Sequence, residues 1–113
     1  MNVVDALAAV LSPDVLVSDP DVIDPYRYDR AMTVVPGRPV ALVRATCTAD
    51  VQRTLEVATR LGVPVVPRGA GTGLSGGSTA VDGCITLSTE RMRAVTVDPV
   101  AMTATVQPGL LNA

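Results

Sequence analysis

Pro67-Arg68-Gly69-Ala70-Gly71-Thr72-Gly73-Leu74-Ser75-Gly76-Gly77 puts five glycines into eleven residues. Directly before it stands Val63-Pro64-Val65-Val66, an apolar run of strand length. Glycine takes positive φ freely and lets the backbone approach a ligand with no Cβ in the way. Successive N–H groups in such a loop can converge on an anion, forming a nest that binds phosphate. Thr72 and Ser75 add hydroxyl donors, and Arg68 offers its charge either to an anion or to a surface carboxylate. A loop with no ligand is the bland alternative. Five glycines cost much conformational entropy on ordering, and a plain connection seldom needs so many.

Two familiar phosphate patterns fit poorly. Gly71-x-Gly73-x-x-Gly76 satisfies GxGxxG, but the dinucleotide fingerprint needs a helix next and an acidic residue closing the following strand. Gly77-Ser78-Thr79-Ala80-Val81-Asp82-Gly83 is turn-rich instead, and Glu90 falls just past the next strand, beside Arg91 and Arg93. The Walker A pattern is absent, since no Gly-Lys pair exists.

Upstream of the loop, Val40-Ala41-Leu42-Val43 reads as a strand between Pro39 and Arg44. Thr48 is the expected N-cap of a helix, with Asp50 in the first turn where the dipole favours negative charge. Val51, Leu55, Ala58 and Leu61 recur at helical spacing, and Gly62 stands where a C-terminal glycine belongs. Strand, helix, strand in that order predicts a parallel pair. Pro64 puts the second strand at an edge or keeps its start out of the ladder.

Downstream, Cys84 to Ser88, Ala94 to Asp98 and Met102 to Gln107 read as three more strands. Asp98-Pro99 separates the last two, and alternation in Thr103-Ala104-Thr105-Val106 predicts a half-buried antiparallel hairpin. Pro108-Gly109 then turns the chain. The expected fold is α+β: a parallel strand–helix–strand unit followed by antiparallel strands. It occupies residues 40–113, after a lead-in over 1–39 with a helix from Val3 to Leu11 and a helical hint from Asp21 to Tyr28.

With 113 residues, the chain is one domain at most, and 48% apolar against 18% charged residues is ordinary for a soluble globular protein. Two Tyr with no Phe or Trp leave a thin aliphatic core, the mark of a piece of something larger. A net charge of −2, with the basic residues scattered, argues against nucleic acid as a partner. No apolar run is long enough to cross a bilayer, and the N-terminus lacks a signal-peptide pattern. A cytoplasmic location is expected, with association to the inner membrane surface left open. With no His, neither His-based catalysis nor a His-bearing metal centre can be completed within these residues. No residue is singled out as catalytic or metal-binding, and Cys47 and Cys84 read as small buried thiols.

The run Pro64 to Gly77 resembles the phosphate-binding segment of FAD-linked oxidases with the vanillyl-alcohol-oxidase and p-cresol-methylhydroxylase type of flavin domain. Glycolate oxidase flavin subunits and D-lactate dehydrogenases are the members it resembles in particular. Arg44-Ala45-Thr46 before Thr48-Ala49-Asp50-Val51 is similar to that family's strand-to-helix junction. Ile85-Thr86-Leu87-Ser88, Met92, Val97-Asp98-Pro99 and Val106-Gln107-Pro108-Gly109 are similar to its next hairpin and turn. The similarity extends from about Leu16 onward.

The resemblance implies the first lobe of an FAD-binding domain. It implies that Pro67, Arg68, Gly69, Ala70, Gly71, Thr72 and Gly73 wrap the FAD pyrophosphate, mostly through backbone N–H groups. Leu74 and Ser75 would lie beside them, and Pro108-Gly109 would pass close to the cofactor. Some relatives attach flavin through a His in or near this loop; none stands here, so the FAD is expected to be non-covalent. Family members continue into the rest of the flavin domain and a substrate-binding cap, which hold the groups that recognise the isoalloxazine and the substrate. The resemblance implies oxidation of a 2-hydroxy acid, of glycolate or D-lactate type, to the 2-oxo acid. It leaves room for an electron-acceptor subunit as partner, and a lone lobe would expose an apolar face that favours self-association. Two alternatives stand beside it: a non-catalytic remnant or assembly module of the same fold, and the related flavin reductase of peptidoglycan precursor synthesis.

Overall fold

The computed structural model describes residues 2–31 and 33–112. Helix α1 (Val3–Ala8) leads into a two-residue strand β1 (Leu16–Val17), a one-turn helix α2 (Pro20–Ile23) and a 3-10 turn (Asp24–Tyr26). Strand β2 (Ala41–Arg44), helix α3 (Thr48–Leu61), strand β3 (Val65–Arg68) and strand β4 (Ile85–Ser88) follow. The chain closes on a hairpin of β5 (Val95–Asp98) and β6 (Thr103–Val106).

The main sheet runs in the order β1-β2-β4-β3. β2 and β3 are parallel, as the strand–helix–strand order predicts, but they are not neighbours. β4 lies between them and pairs with both in parallel, with Ala41, Ile85 and Val65 in one row and Arg44, Ser88 and Arg68 in another. The antiparallel strands expected after the strand–helix–strand unit are the hairpin pair β5 and β6. Burial accounts for the order. Ile-Thr-Leu-Ser carries no charge and all four residues are buried, which suits a central parallel strand. β3 carries Pro67 and follows Pro64, and a missing N–H is tolerated only at an edge. β1, too short to have a period of its own, adds an antiparallel edge on the other side.

Alternation sorts the two faces. Ala41, Val43, Ile85 and Leu87 join Val57 and Ala58 of α3 and Ala6 and Leu7 of α1 in the main core. Each fully buried Leu, Ile or Val here contributes about 1.5–3 kcal/mol. A second cluster of Val66, Ala80 and Cys84 gathers apart from it.

Local signals shifted in several places. The N-cap of α3 is Cys47, not Thr48, and its side chain makes no cap bond. Instead Asp50, in the first turn, accepts the Thr46 amide at 3.0 Å and the Thr46 hydroxyl at 2.9 Å. Gly62 ends α3 at φ 66°, the left-handed cap that the sequence predicts. Helix α1 stops at Ala8 rather than Leu11, and the Asp21–Tyr28 hint resolves into α2 and the 3-10 turn. The hairpin is antiparallel as expected but not half-buried: every residue of β5 and β6 is exposed. Cys84 is buried, whereas Cys47 is exposed. Among the described residues no helix is long and apolar enough to cross a membrane.

Candidate cofactor-binding site

Ligand sites in parallel sheets form beyond the carboxyl ends of the strands. Here the glycine loop leaves the end of β3, and the turn Thr89–Met92 leaves the end of β4. The Thr89 amide donates to the Arg68 carbonyl at 2.9 Å, which ties the two exits together. Pro108-Gly109 returns across that turn, with the Gly109 amide donating to the Met92 carbonyl at 2.9 Å. A Cβ at Gly109 would run into the carbonyl oxygens of Thr89 and Met92, so only glycine lets the backbones approach this closely.

The result is a cleft of about 360 Å³ walled by Gly69, Ala70, Glu90, Arg93, Pro108 and Gly109, with Leu110 to Asn112 at its rim. Among the described residues, the amides of Gly69, Ala70, Gly71, Thr72 and Gly73 meet no protein acceptor. That row of free donors, next to open space at Gly69, is the condition for holding an anion. Charge agrees with it. The Glu90 carboxylate is taken up by the Tyr26 hydroxyl at 2.6 Å and Arg44 Nε at 2.9 Å. Burial, helped by the carboxylate it touches, pushes the Tyr26 hydroxyl above its ordinary pKa, so it remains a donor. Arg93 donates from Nε to the Glu90 carbonyl and, among the described residues, pairs with no carboxylate. The residues present therefore fit a phosphate-bearing group. A larger groove of about 510 Å³ between α3 and β3 is lined by Val51, Leu55, Val65, Leu87 and Met92 and offers almost no polar atoms, so it cannot recognise phosphate.

The predicted residues divide. Gly69, Ala70, Pro108 and Gly109 meet in the cleft. Thr72, Leu74 and Ser75 are exposed on the outer loop, and Pro67 faces the apolar groove. Arg68 turns away from the cleft. Its Nη1 donates to the carbonyls of Tyr28 at 2.8 Å and Tyr26 at 3.3 Å, and its guanidinium lies over the Tyr26 ring. Among the described residues it pairs with no carboxylate, the surface role that the sequence offered for its charge. Gly71 sits beneath that guanidinium at φ 72°. Sequence reasoning missed Arg93 as part of the cleft, and missed Asp29, whose buried carboxylate braces the loop from behind. Asp-x-Ala with an Asx turn was the available signal, since the Asp29 side chain accepts the Ala31 amide two residues on.

A glycine loop with free amides at the carboxyl end of a parallel sheet has the arrangement of a phosphate-binding lobe. The model of the FAD binding domain matches residues 39–113, and the chain belongs to that family. Its cofactor is FAD. The chain is 38% identical over 100 residues to the glycolate oxidase subunit GlcD of Escherichia coli K12, covering 88% of this chain and 20% of that one. It is 37% identical over 78 residues to a D-lactate dehydrogenase of Archaeoglobus fulgidus, covering 66% of this chain and 18% of that one. Crystalline p-cresol methylhydroxylase superposes with a TM-score of 0.80 at 23% identity, over 96% of this chain and 22% of that one, and shares the fold. The chain spans about a fifth of the length of the curated relatives it matches.

Proposed function

We propose that the cleft between Gly69-Ala70 and Pro108-Gly109 holds the FAD pyrophosphate non-covalently, in a flavoprotein that oxidises a 2-hydroxy acid to the 2-oxo acid. The observation that carries the first half is the run of unpaired amides from Gly69 to Gly73. Those amides donate to the phosphate oxygens, Arg93 adds positive charge, and Pro108-Gly109 closes the opposite wall. When bound, FAD supplies the two-electron acceptor that such an oxidation requires. The substrate class rests on the relatives, which are named as a glycolate oxidase subunit and a D-lactate dehydrogenase. Within this reading the flavoprotein is cytoplasmic and passes electrons to a separate acceptor subunit.

Gly69 gives a clean test. A Cβ there meets nothing within 4 Å and the residue does not take positive φ, so Gly69→Val leaves the loop intact while filling the space meant for phosphate. In the FAD-loaded flavoprotein the variant should keep its circular dichroism and lose its flavin on gel filtration. Stoichiometric flavin in folded Gly69→Val would overturn the cofactor assignment. Anaerobic addition of glycolate or D-lactate to the wild type should bleach the flavin. No bleaching with either would remove the substrate class and leave the cofactor site standing.

A further inference from the structure

The amides of Gly69 to Gly73 can stay free only if something other than the loop itself holds the loop's shape. The segment Tyr26 to Ala31 does this from behind. Arg68 gives its guanidinium to the carbonyls of Tyr26 and Tyr28, the Arg30 amide donates to the Gly73 carbonyl at 2.9 Å, and the Ala80 amide donates to the Arg27 carbonyl at 2.7 Å. At the centre is Asp29, 7% exposed. Its Oδ1 accepts the Ala31 amide at 2.8 Å and the buried Thr79 hydroxyl at 3.1 Å, and its Oδ2 accepts the Ser78 amide at 3.4 Å.

We infer that Asp29 is the positioning residue of the phosphate loop: its carboxylate fixes the Gly73–Thr79 end, so that the free amides before it are held ready for an anion at the Gly69-Ala70 cleft. The inference rests on the cofactor reading above. A carboxylate is the side chain this place needs, because it accepts on both oxygens and donates on neither. An Asn would still accept from Ala31 and Thr79 but would set an NH₂ against the Ser78 amide. Asp29 is not a catalytic residue, since its oxygens are spent on the protein's own donors.

Amide hydrogen exchange on the 113-residue chain, followed by NMR, tests the brace without cofactor. In Asp29→Asn the Arg30, Ser78 and Thr79 amides should exchange about tenfold faster or more, the loss of one charge-assisted bond. Thr86 and Leu87 in β4 should stay protected. Thr79→Val should loosen the same amides and Thr79→Ser should restore them, which separates the hydroxyl from mere bulk. Unchanged exchange in Asp29→Asn, equal loss in β4, or failure of Thr79→Ser to rescue would each overturn the inference. FAD titration supplies the second readout. At sub-saturating FAD, amide shifts should centre on Gly69 to Gly73 in the wild type, and their initial slope against FAD concentration should be about tenfold shallower in Asp29→Asn. Loosened loop amides with unweakened FAD shifts would overturn the positioning role. Wild-type shifts located elsewhere would overturn the cofactor reading instead, while the exchange data still decide the brace.

Discussion

The guanidinium of Arg68 occupies the space where Gly71 would carry a Cβ, and Gly71 itself stands at φ 72°. Two independent reasons thus require glycine at 71: a left-handed backbone and the side chain laid over it. Gly71→Ala should therefore lower stability by about 1–3 kcal/mol, through backbone strain and a displaced Arg68. Gly69→Ala should fall within about 0.5 kcal/mol of wild type, as surface changes without such features do. Urea denaturation of both variants checks the contrast. A shared midpoint would mean that neither the left-handed backbone nor Arg68 resists a side chain at 71. Flavin loss in a Gly71 variant consequently reports folding as well as space, which is why Gly69 is the better probe of the site.

Gly109 makes the second case. The atoms facing it are the carbonyl oxygens of Thr89 and Met92, which are backbone and cannot rotate away as a side chain would. Gly109→Ala should push Pro108-Gly109 off the Thr89–Met92 turn, break the Gly109–Met92 bond and cost about 1–3 kcal/mol. The loss should appear as a lowered unfolding midpoint together with new exchange at the Gly109 amide. An unshifted midpoint would place the turn elsewhere in solution.

Acid should loosen the start of α3. Burial pushes the Asp50 carboxyl up, but the Thr46 amide and hydroxyl, the Cys47 thiol and Arg53 outweigh it and leave the pKa below the ordinary aspartate value. A depressed folded-state pKa means stability that is present above the unfolded value, near pH 4, and is lost as pH falls through the folded one. Asp50→Asn should flatten that part of the acid limb and cost about 1–2 kcal/mol at neutral pH, the usual effect of losing a helix-start acceptor. Denaturation curves at pH 7 and pH 3 decide it: identical pH dependence in the variant would discard Asp50 as the source.

What the sequence made legible was local. The aliphatic period of α3, Gly62 as its left-handed end, and the glycine loop after β3 are each written within a few adjacent residues. Strand order was not, because β4 takes the middle for reasons of burial on both faces, and those depend on what packs above and below it. The hairpin misled in the opposite way: alternation in Thr103 to Val106 sets its pairing but cannot say whether anything covers either face. In the site, the carbonyl partner of Arg68 at Tyr28 and the loop partners of Asp29 at Ser78 and Thr79 lie forty to fifty residues away along the chain, beyond any pattern of spacing. That Pro108-Gly109 approaches the loop came from family resemblance, not from the residues themselves.

Flavin should leave the denatured protein entirely. The sequence contains no His, and of its two thiols Cys84 is fully buried in the sheet, out of reach of any bound group. Acid precipitation of the flavoprotein should give a colourless pellet and a yellow supernatant. A yellow pellet would point to exposed Cys47 or to a residue outside this segment, and the non-covalent assignment would have to be withdrawn.

The lone 113-residue chain should bind FAD weakly, oxidise nothing and self-associate. A working small-molecule site buries roughly 70–90% of its ligand. Here the cleft of about 360 Å³ presents the glycine loop on one side and Pro108-Gly109 on the other, and its rim at Leu110 to Asn112 is open. Phosphate can be gripped in such a cleft, but the two ring systems of FAD would stay largely wet. The same chain shows solvent a great deal of apolar surface. Val97 is 66% exposed, Val100 93% and Met102 88%, all on a two-stranded hairpin of a kind that is marginal in water by itself. The groove beside α3 adds exposed Leu55 and half-buried Val51 to that surface. Both strands of the hairpin lack Lys, Arg and Pro, the residues that usually blunt an exposed edge. Sedimentation should therefore detect dimers or larger species at micromolar concentration, and fluorescence titration with FAD should fail to saturate in that range. Placing a charge in the hairpin, as in Val97→Lys, should return the chain to monomer without changing FAD affinity. A wild-type monomer that saturates tightly with FAD would establish the lobe as self-sufficient.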